Sequence, residues 1–177
     1  DRCASLFAPF SIDGLVAARV VRVDRGAVTV EGEWGTASAS LAGRLHRDGI
    51  AGPPAVGDWV GLDLVGGAAV VRAILPRAGA LARRRPGGAE LEQVAAANVD
   101  LVLVVDGLDR GPNPRRIERA AALAWDAGAS PVVVLTKRDL CSDLEAALAR
   151  AREAAPFAEV LAVAAAGGQG MAELEAF

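Results

Sequence analysis

The sequence predicts a chain of mixed fold class, in which an all-β barrel precedes a partial α/β domain with a parallel sheet. Hydrophobic residues alternate with a period of two in the first part, a basic stretch rich in Pro and Gly follows, and continuous apolar runs then alternate with helical patterns. We therefore expect a leader (residues 1–13), a barrel (14–76), a basic connector (77–97) and the partial α/β domain (98–177).

The barrel segment predicts five short strands. GLVAARVVRVDRGAVTVEGEW indicates two Val-rich strands joined at residues 24–26, while TASASLAGRL and VGDWVGLDLVGGAAVVRAIL supply about three more, with a turn at residues 66–67. So many strands in so short a segment indicate a small closed barrel of the OB type, and an SH3-like barrel fits nearly as well. VGDWV (residues 56–60) is also similar to a strand opening of nucleic-acid-binding OB folds.

Three apolar runs predict the strands of the parallel sheet: VDLVLVV (Val99–Val105), PVVVL (131–135) and EVLAV (Glu159–Val163). The first is uninterrupted, as is typical of a strand buried on both faces. Such alternating strands and helices favour a doubly wound sheet, whose ligands usually bind beyond the carboxyl ends of the strands.

The helices between these strands carry recognisable start signals. Asn113 is a suitable N-cap with Pro114 in the first turn, and Ser142 with Glu145 matches a capping box for a helix that stops before Pro156. A further helix is expected to begin in MAELEAF. The apolar stripe of the first helix is expected to consist of Ile117, Ala121, Ala124 and Trp125.

Cysteine content and apolar run lengths exclude several classes of protein. Cys3 and Cys141 lie far apart, so neither a disulfide framework nor a clustered metal site is expected, and the chain is predicted to be cytoplasmic. No apolar run approaches the roughly 20 residues that span a bilayer, and the start lacks the apolar core of a signal peptide. No membrane partner is therefore expected.

Positive charge is concentrated in one part of the chain. Residues 76–90 carry four Arg and one acid, residues 14–75 carry six Arg and six acids, and residues 91–177 carry eight basic and thirteen acidic groups. Phosphates of RNA are expected to contact the barrel and connector, although the acids weaken this expectation and Trp34 and Trp59 are as suitable for a core as for base stacking. The candidate RNA-binding residues are Arg19, Arg22, Arg25, Arg44, Arg47, Arg83, Arg84 and Arg85.

The only lysine of the chain, Lys137, lies directly after the second predicted strand. Residues 136–139, Thr-Lys-Arg-Asp, fit a variant of the guanine-specificity motif Asn-Lys-x-Asp. The carboxylate of Asp139 can accept hydrogen bonds from guanine N1–H and the exocyclic amine, a donor pair that adenine lacks. The slim stem of Lys137 would cover the purine while its ammonium reaches loop oxygens, which the broad fork of arginine would do poorly.

A second candidate base-binding loop follows the third strand, in VAAAGGQGM. It resembles the Ser-Ala-x loop of GTPases, in which a backbone N–H of the alanine contacts guanine O6. Ala164 and Ala165 occupy these two positions, so the serine hydroxyl is lost while the backbone contact is retained. The guanine-binding candidates are therefore Thr136, Lys137, Asp139, Ala164 and Ala165. His46, Asp106 and Asp109 are expected to be ordinary loop or helix-approach residues.

Together these segments, with ILPR (Ile74–Arg77), ANVDLVLVV and PNPRRIERAAALAWDAGASPVVVLTKRDL, resemble the amino-terminal half of the ribosome small-subunit-dependent GTPase A family. That resemblance implies a circularly permuted P-loop-GTPase-like domain behind an OB domain. It also implies binding and hydrolysis of GTP, with Mg²⁺, in small ribosomal subunit maturation, and contact with ribosomal RNA. A structural Zn²⁺ is implied for the carboxyl-terminal part, and a monomer is expected.

The chain itself lacks several parts that such an enzyme needs. A P-loop requires a second lysine, the Asp-x-x-Gly switch for Mg²⁺ is absent from the predicted α/β segment (residues 98–177), and one His with two separated Cys cannot form the zinc site. We therefore expect a fragment, or part of a longer protein, that contains no catalytic residue and does not hydrolyse GTP. Alternatives are a non-enzymatic OB-fold adaptor for RNA or protein with a degenerate α/β domain, and a nucleotide enzyme that prefers another base.

Overall fold

A computed structural model describes residues 14–47, 52–84 and 92–177 of the chain. The chain divides into two compact units, Asp1–Val99 and Asp100–Phe177. The predicted leader, residues 1–13, lies outside the described residues, as does Arg85.

Five strands of the first unit close into a barrel with the order β1-β2-β3-β5-β4, and this confirms the predicted OB-like architecture. Strands β3 and β5 run parallel, whereas the other neighbouring pairs, including the closing pair β1 and β4, are antiparallel. The two predicted turns are correct, because residues 24–26 and 66–67 separate consecutive strands. The strands are β1 (Val16–Val23), β2 (Ala27–Gly32), β3 (Gly35–Arg47), β4 (Trp59–Val65) and β5 (Ala68–Ile74).

The alternating pattern of the sequence fills the barrel. In β1 and β2 every second side chain of the central stretch is buried, because successive side chains of a strand point to opposite faces. Each fully buried Val or Leu contributes about 1.5–3 kcal/mol relative to an exposed one. The buried core includes Ala18, Val20, Val28, Val30, Ala39, Val60, Leu62, Val71 and Ile74.

The segment predicted as a connector contains a two-stranded antiparallel ribbon, formed by β6 (Ala80–Arg84) and β7 (Glu92–Ala97). The ribbon belongs to the first unit, and Ala96 forms an isolated bridge with Val56 just before β4. Charge and Pro/Gly content in the sequence indicate an exposed connector, but they do not predict that the residues of β6 and β7 pair as strands.

The second unit contains a parallel sheet with the order β10-β9-β8. Its strands are β8 (Leu101–Gly107), β9 (Ser130–Thr136) and β10 (Glu159–Ala162). Three helices follow them in the chain, α1 (Pro114–Asp126), α2 (Leu144–Ala154) and α3 (Met171–Glu175). The core between sheet and helices includes Val104, Leu108, Ile117, Ala121, Val133, Leu135, Ala147 and Ala151. Within the described ranges, no helix has the length and apolar character needed to cross a membrane.

One predicted helix start is confirmed and the other is wrong by one residue. Asn113 caps α1, and its side chain accepts a hydrogen bond from the Arg116 amide at 3.2 Å. Helix α2 is capped by Asp143, whose carboxylate accepts from the Ala146 amide at 3.0 Å, and not by Ser142. Both residue types are good caps, so sequence alone does not choose between neighbours.

The apolar stripe of α1 is confirmed for three of its four members. Ile117, Ala121 and Ala124 are fully buried, whereas Trp125 remains 39% exposed and meets the ring of Phe157 edge to face, with ring centres 6.4 Å apart. Trp125 directly follows a buried position and therefore lies about 100° around the helix from it, at the margin of the buried stripe.

Candidate functional site

The loops after β8, β9 and β10 lie at one edge of the second unit, because the three strands are parallel. Ligands of open α/β sheets usually bind at this carboxyl edge. The three loops are joined by hydrogen bonds: the Arg138 amide donates to the Val163 carbonyl at 3.0 Å, and the Thr136 hydroxyl donates to the Asp106 carbonyl at 3.2 Å. The five predicted guanine-binding residues therefore come from two adjacent loops.

Thr136 is half-buried at the end of β9, and its hydroxyl is already used by the backbone of β8. It stands at the position of Asn in the usual motif. In this chain the side chain at that position braces the loop, so that the orientation of the following residues is fixed from the neighbouring strand.

Lys137 has a left-handed backbone conformation with φ of 58°, which is uncommon for a residue other than glycine. Its carbonyl accepts a hydrogen bond from the Leu140 amide at 3.0 Å, which closes the short 3₁₀ turn Arg138–Leu140. Its ammonium lies 3.0 Å from a carboxylate oxygen of Asp109, in the loop after β8. The loop oxygen that the Lys137 ammonium contacts in the structure is therefore a carboxylate oxygen of Asp109.

Asp109 was expected to be an ordinary loop acid, but it forms the ion pair with Lys137. The hydrogen bond from Lys137 is the main cause that lowers the pKa of Asp109, and the charges of Lys137 and Arg110 act in the same direction while burial opposes them. Because the lowered pKa favours the charged form, the carboxylate is ionised at neutral pH, and its contribution is lost only as the pH falls through the folded pKa.

Asp139 is exposed in the 3₁₀ turn Arg138–Leu140. Its carboxylate makes no hydrogen bond or ion pair with any residue that the structure describes. A carboxylate bonded to scaffold groups could not accept the two donors of a guanine. Asp139 is exposed and unpaired within the described residues, so its carboxylate is free to accept hydrogen bonds from a ligand.

The two alanines of the second loop differ in the use of their backbone. Ala164 is buried, and its amide donates to the Gln169 carbonyl at 2.9 Å while its carbonyl accepts from the Gln169 amide at 3.2 Å. Ala165 is exposed, and no acceptor for its amide is present among the described residues. The amide predicted to contact guanine O6 is therefore available, and the preceding one holds the loop closed.

Asp106 is a buried anchor rather than a loop acid, since only 4% of it is exposed. Its carboxylate accepts hydrogen bonds from the amides of Gly107 and Asn113, at 2.9 and 2.8 Å, and pairs with the guanidinium of Arg116. It thus joins the end of β8 to the start of α1. In the sequence, an aspartate near the end of an apolar strand and seven residues before a helix cap would have indicated this bonded role.

The predicted RNA-binding arginines are found in different situations. Arg19 donates to the Asn98 carbonyl at 2.9 Å and lies over the ring of Trp59, with 5.5 Å between guanidinium and ring centre. Arg22 pairs with Asp24 at 2.9 Å, and Arg25 is exposed in the turn that follows. Arg44 and Arg47 lie in β3, and Arg83 and Arg84 in β6. Trp34 is exposed and lines a groove of about 450 Å³ with Leu64 and small residues.

The VGDWV stretch, which resembles a nucleic-acid-binding strand opening, forms a structural corner of the first unit. Asp58 is fully buried, and both of its carboxylate oxygens receive the fork of Arg77, at 2.7 and 2.8 Å. The Ala55 amide adds a third hydrogen bond at 2.7 Å. Gly57 has φ of 90°, and a Cβ at this position would lie 2.0 Å from the carbonyl oxygen of Ala97.

No group of three or more potential metal ligands is present in the described parts of the chain. Those residues therefore offer no clustered ligand set of the kind that holds a structural Zn²⁺.

Comparison with known proteins identifies the family. A family model described as RsgA GTPase matches residues 74–177, more than half of the chain. The chain belongs to the RsgA GTPase family. Among curated relatives, the small ribosomal subunit biogenesis GTPase RsgA of Syntrophotalea carbinolica is 44% identical over 169 residues, which cover 90% of this chain and 46% of the relative. That of Opitutus terrae is 41% identical, and the match covers 98% of this chain and 51% of the relative.

Two solved structures agree with the fold. YjeQ from Thermotoga maritima has a TM-score of 0.67 at 24% identity, covering 92% of this chain and 56% of that one. YloQ, described as a circularly permuted GTPase, has a TM-score of 0.64 at 18% identity and covers 93% of this chain and 56% of that one. The chain spans about half the length of the RsgA relatives it matches.

Proposed function

We propose that the full-length protein is a cytoplasmic, monomeric GTPase that acts in maturation of the small ribosomal subunit, and that residues 136–139 and 164–165 form its guanine-binding site. The curated relatives are named for small ribosomal subunit biogenesis, and the chain belongs to their family. The observation that carries the site is the exposed carboxylate of Asp139, unpaired within the residues described, together with the free amide of Ala165 in the adjacent loop.

In this proposal each residue has one task. Asp139 accepts the two adjacent N–H donors of guanine, Ala165 donates its amide to O6, and Lys137 covers the purine face with its alkyl stem. Thr136 and Ala164 hold the loops through the Asp106 carbonyl and the Gln169 backbone. Adenine would leave the Asp139 carboxylate without a donor pair, and this mismatch is the source of selectivity.

The phosphate-binding half and its Mg²⁺ belong to the remainder of the protein in this proposal, and so does a structural Zn²⁺. Two features of β8 suit it to contact with further structure. It is an outer strand of the sheet in the described unit, and Leu103 and Val105 on one of its faces are about half exposed. Exposed apolar side chains on a strand are suited to cover by further structure. The present chain, which has no P-loop lysine, is expected to bind guanine nucleotide weakly and to leave GTP intact.

The RNA contacts of the proposal fall on the barrel and the β6–β7 ribbon. Arg25 is exposed at the β1–β2 turn, and Arg83 and Arg84 lie on β6. We expect these residues to contact phosphates, which would make binding to ribosomal RNA fall with rising salt. Arg19 has two internal attachments, to the Asn98 carbonyl and the Trp59 ring, so its removal should affect the first unit as well as RNA binding.

Competition between GDP and ADP on the full-length protein tests the guanine site. We expect GDP to bind much more tightly than ADP, and Asp139→Asn to weaken GDP by about 10–100-fold, since a hydrogen bond to a charged group is worth about 1.5–3 kcal/mol. ADP binding should change little. Asp143→Asn, which alters an exposed helix cap near the site, is the matched control. Equal binding of GDP and ADP, unaffected by Asp139→Asn, would contradict the proposal and favour an adaptor or a different nucleotide.

A further inference from the structure

The loop after β8 supplies a residue that neither of the two base-binding loops contains. Asp109 lies in the 3₁₀ turn Leu108–Arg110, which packs against the turn Arg138–Leu140. Its carboxylate meets the Lys137 ammonium at 3.0 Å, although the two residues are 28 positions apart and belong to different loops. The contact therefore fixes one loop relative to the other.

The backbone around the pair is shaped for this contact. Gly107 has no side chain, and a Cβ there would lie 2.7 Å from a carboxylate oxygen of Asp109, so a larger residue would displace the acid. On the other side, the left-handed conformation of Lys137 is held by the Leu140 amide on its carbonyl and by the Arg138 amide on the carbonyl of Val163. Both ends of the ion pair thus start from defined backbone positions.

The stability that this pair contributes to the fold is small, because 53% of the Lys137 side chain and 34% of the Asp109 side chain are exposed. Exposed ion pairs contribute little to stability, because water and salt screen both charges. A stronger reason for the contact is conformational: a lysine side chain loses rotamer freedom when it is fixed, and a partner that restricts it beforehand reduces that loss on binding.

We propose that Asp109 is a positioning residue of the guanine site, which holds the Lys137 ammonium at the sheet edge so that the lysine stem is already in place to cover a purine. This inference rests on the proposed function. Asp109 itself has no contact with the base in this arrangement; it acts through Lys137 alone, and Asp139 remains the residue that selects guanine.

A double-mutant cycle on the full-length protein, with GDP as the probe, tests this role. Asp109→Asn should weaken GDP binding by roughly three- to fivefold, the upper range of an exposed pair. In a Lys137→Met background, which keeps an apolar stem without the charge, the same Asp109→Asn change should have no further effect. Asp109→Glu should restore part of the affinity, because it returns the carboxylate. Preference for GDP over ADP should persist in Asp109→Asn.

The controls separate the two proposals. Asp126→Asn, an exposed acid at the end of α1, should leave GDP affinity unchanged, and thermal unfolding of each variant should match the parent protein. If GDP is preferred and Asp139→Asn abolishes the preference, but Asp109→Asn has no effect or acts equally in the Lys137→Met background, the positioning role is wrong while the guanine site stands. If GDP and ADP bind equally and Asp139→Asn changes neither, the guanine site falls and the role of Asp109 falls with it.

Discussion

The two units of the chain use aspartate in opposite ways. In the first unit, Asp58 is fully buried and both of its oxygens are bonded by Arg77 and the Ala55 amide. In the second unit, Asp139 is exposed and has no partner in the described residues. Both belong to short stretches that resemble binding motifs. Solvent access and bonded partners distinguish an acid that holds a scaffold together from one that is available to a ligand.

The same contrast applies within the sheet edge. Asp106 is buried and bonded to Gly107, Asn113 and Arg116, whereas Asp109, three residues later, is exposed and pairs with Lys137. We expect loss of the buried acid to affect folding and loss of the exposed acid to affect binding. The predictions below test this division, beginning with the largest effect.

Asp58→Asn should lower the free energy of unfolding of the first unit by about 3–5 kcal/mol, because it leaves the Arg77 charge buried without its partner. Chemical denaturation followed by circular dichroism would measure the change. Asp63→Asn is the matched control, since the Asp63–Arg72 pair lies on the barrel surface and should contribute less than about 1 kcal/mol. Similar losses in the two variants would contradict a special role for the buried pair.

Gly57→Ala should destabilise the same corner by about 2–4 kcal/mol, since a positive φ and a clash with the Ala97 carbonyl act together. Gly67→Ala is the control: Gly67 has φ of 84° and open space around its Cβ position, so only the conformational cost of about 1–2 kcal/mol is expected. The difference between the two unfolding free energies measures the clash. If Gly57→Ala and Gly67→Ala lower the unfolding free energy equally, the clash with the Ala97 carbonyl makes no measurable contribution.

Asp143→Ala should lower the stability of the second unit by about 1 kcal/mol, as expected for loss of a helix cap. Ser142→Ala should change it by less than about 0.5 kcal/mol, since Ser142 is exposed and outside the cap position. Thermal denaturation of both variants would decide which residue caps α2. A larger loss of stability for Ser142→Ala would indicate that Ser142, the residue that the sequence pattern favours, caps α2.

Asp139→Asn should have the smallest effect on folding, within about 0.5 kcal/mol, because the side chain is exposed. Its unfolding free energy can be measured on the chain itself, independently of nucleotide. A loss as large as that of Asp58→Asn would show that the carboxylate has a scaffold partner, and would remove the basis for its proposed contact with guanine.

Strand positions were the most predictable feature of this chain. Alternation placed the five barrel strands, and apolar runs placed the three parallel strands. The expected burial of the first run on both faces is wrong within the described unit, because Leu103 and Val105 of β8 are about half exposed. The cap at Asn113 followed from local chemistry. In contrast, the choice between Ser142 and Asp143 depends on backbone dihedral angles, and the exposure of Trp125 depends on the angular width of the buried stripe, neither of which the sequence reports.

Long-range pairing explains what the sequence analysis missed. Asp58 and Arg77 are 19 positions apart, and Asp109 and Lys137 meet only because β8 and β9 are neighbours in the sheet. The role of Asp106 likewise becomes visible only when the start of α1 is placed beside the end of β8. The partner of each of these charged groups could therefore be identified only from the topology.

The corner around Gly57 also has a consequence for synthesis of the protein. Asn98 donates to the Gly57 carbonyl across 41 positions, and the Ala97 amide donates to Val56 at 2.8 Å. Since a ribosome makes chains at about 5–20 residues per second, roughly 2–8 s separate the two partners during translation. During that time the carbonyls of Val56 and Gly57 lack the hydrogen bonds from Ala97 and Asn98. The segment before β4 is therefore incompletely bonded and accessible to chaperones until these residues are synthesised.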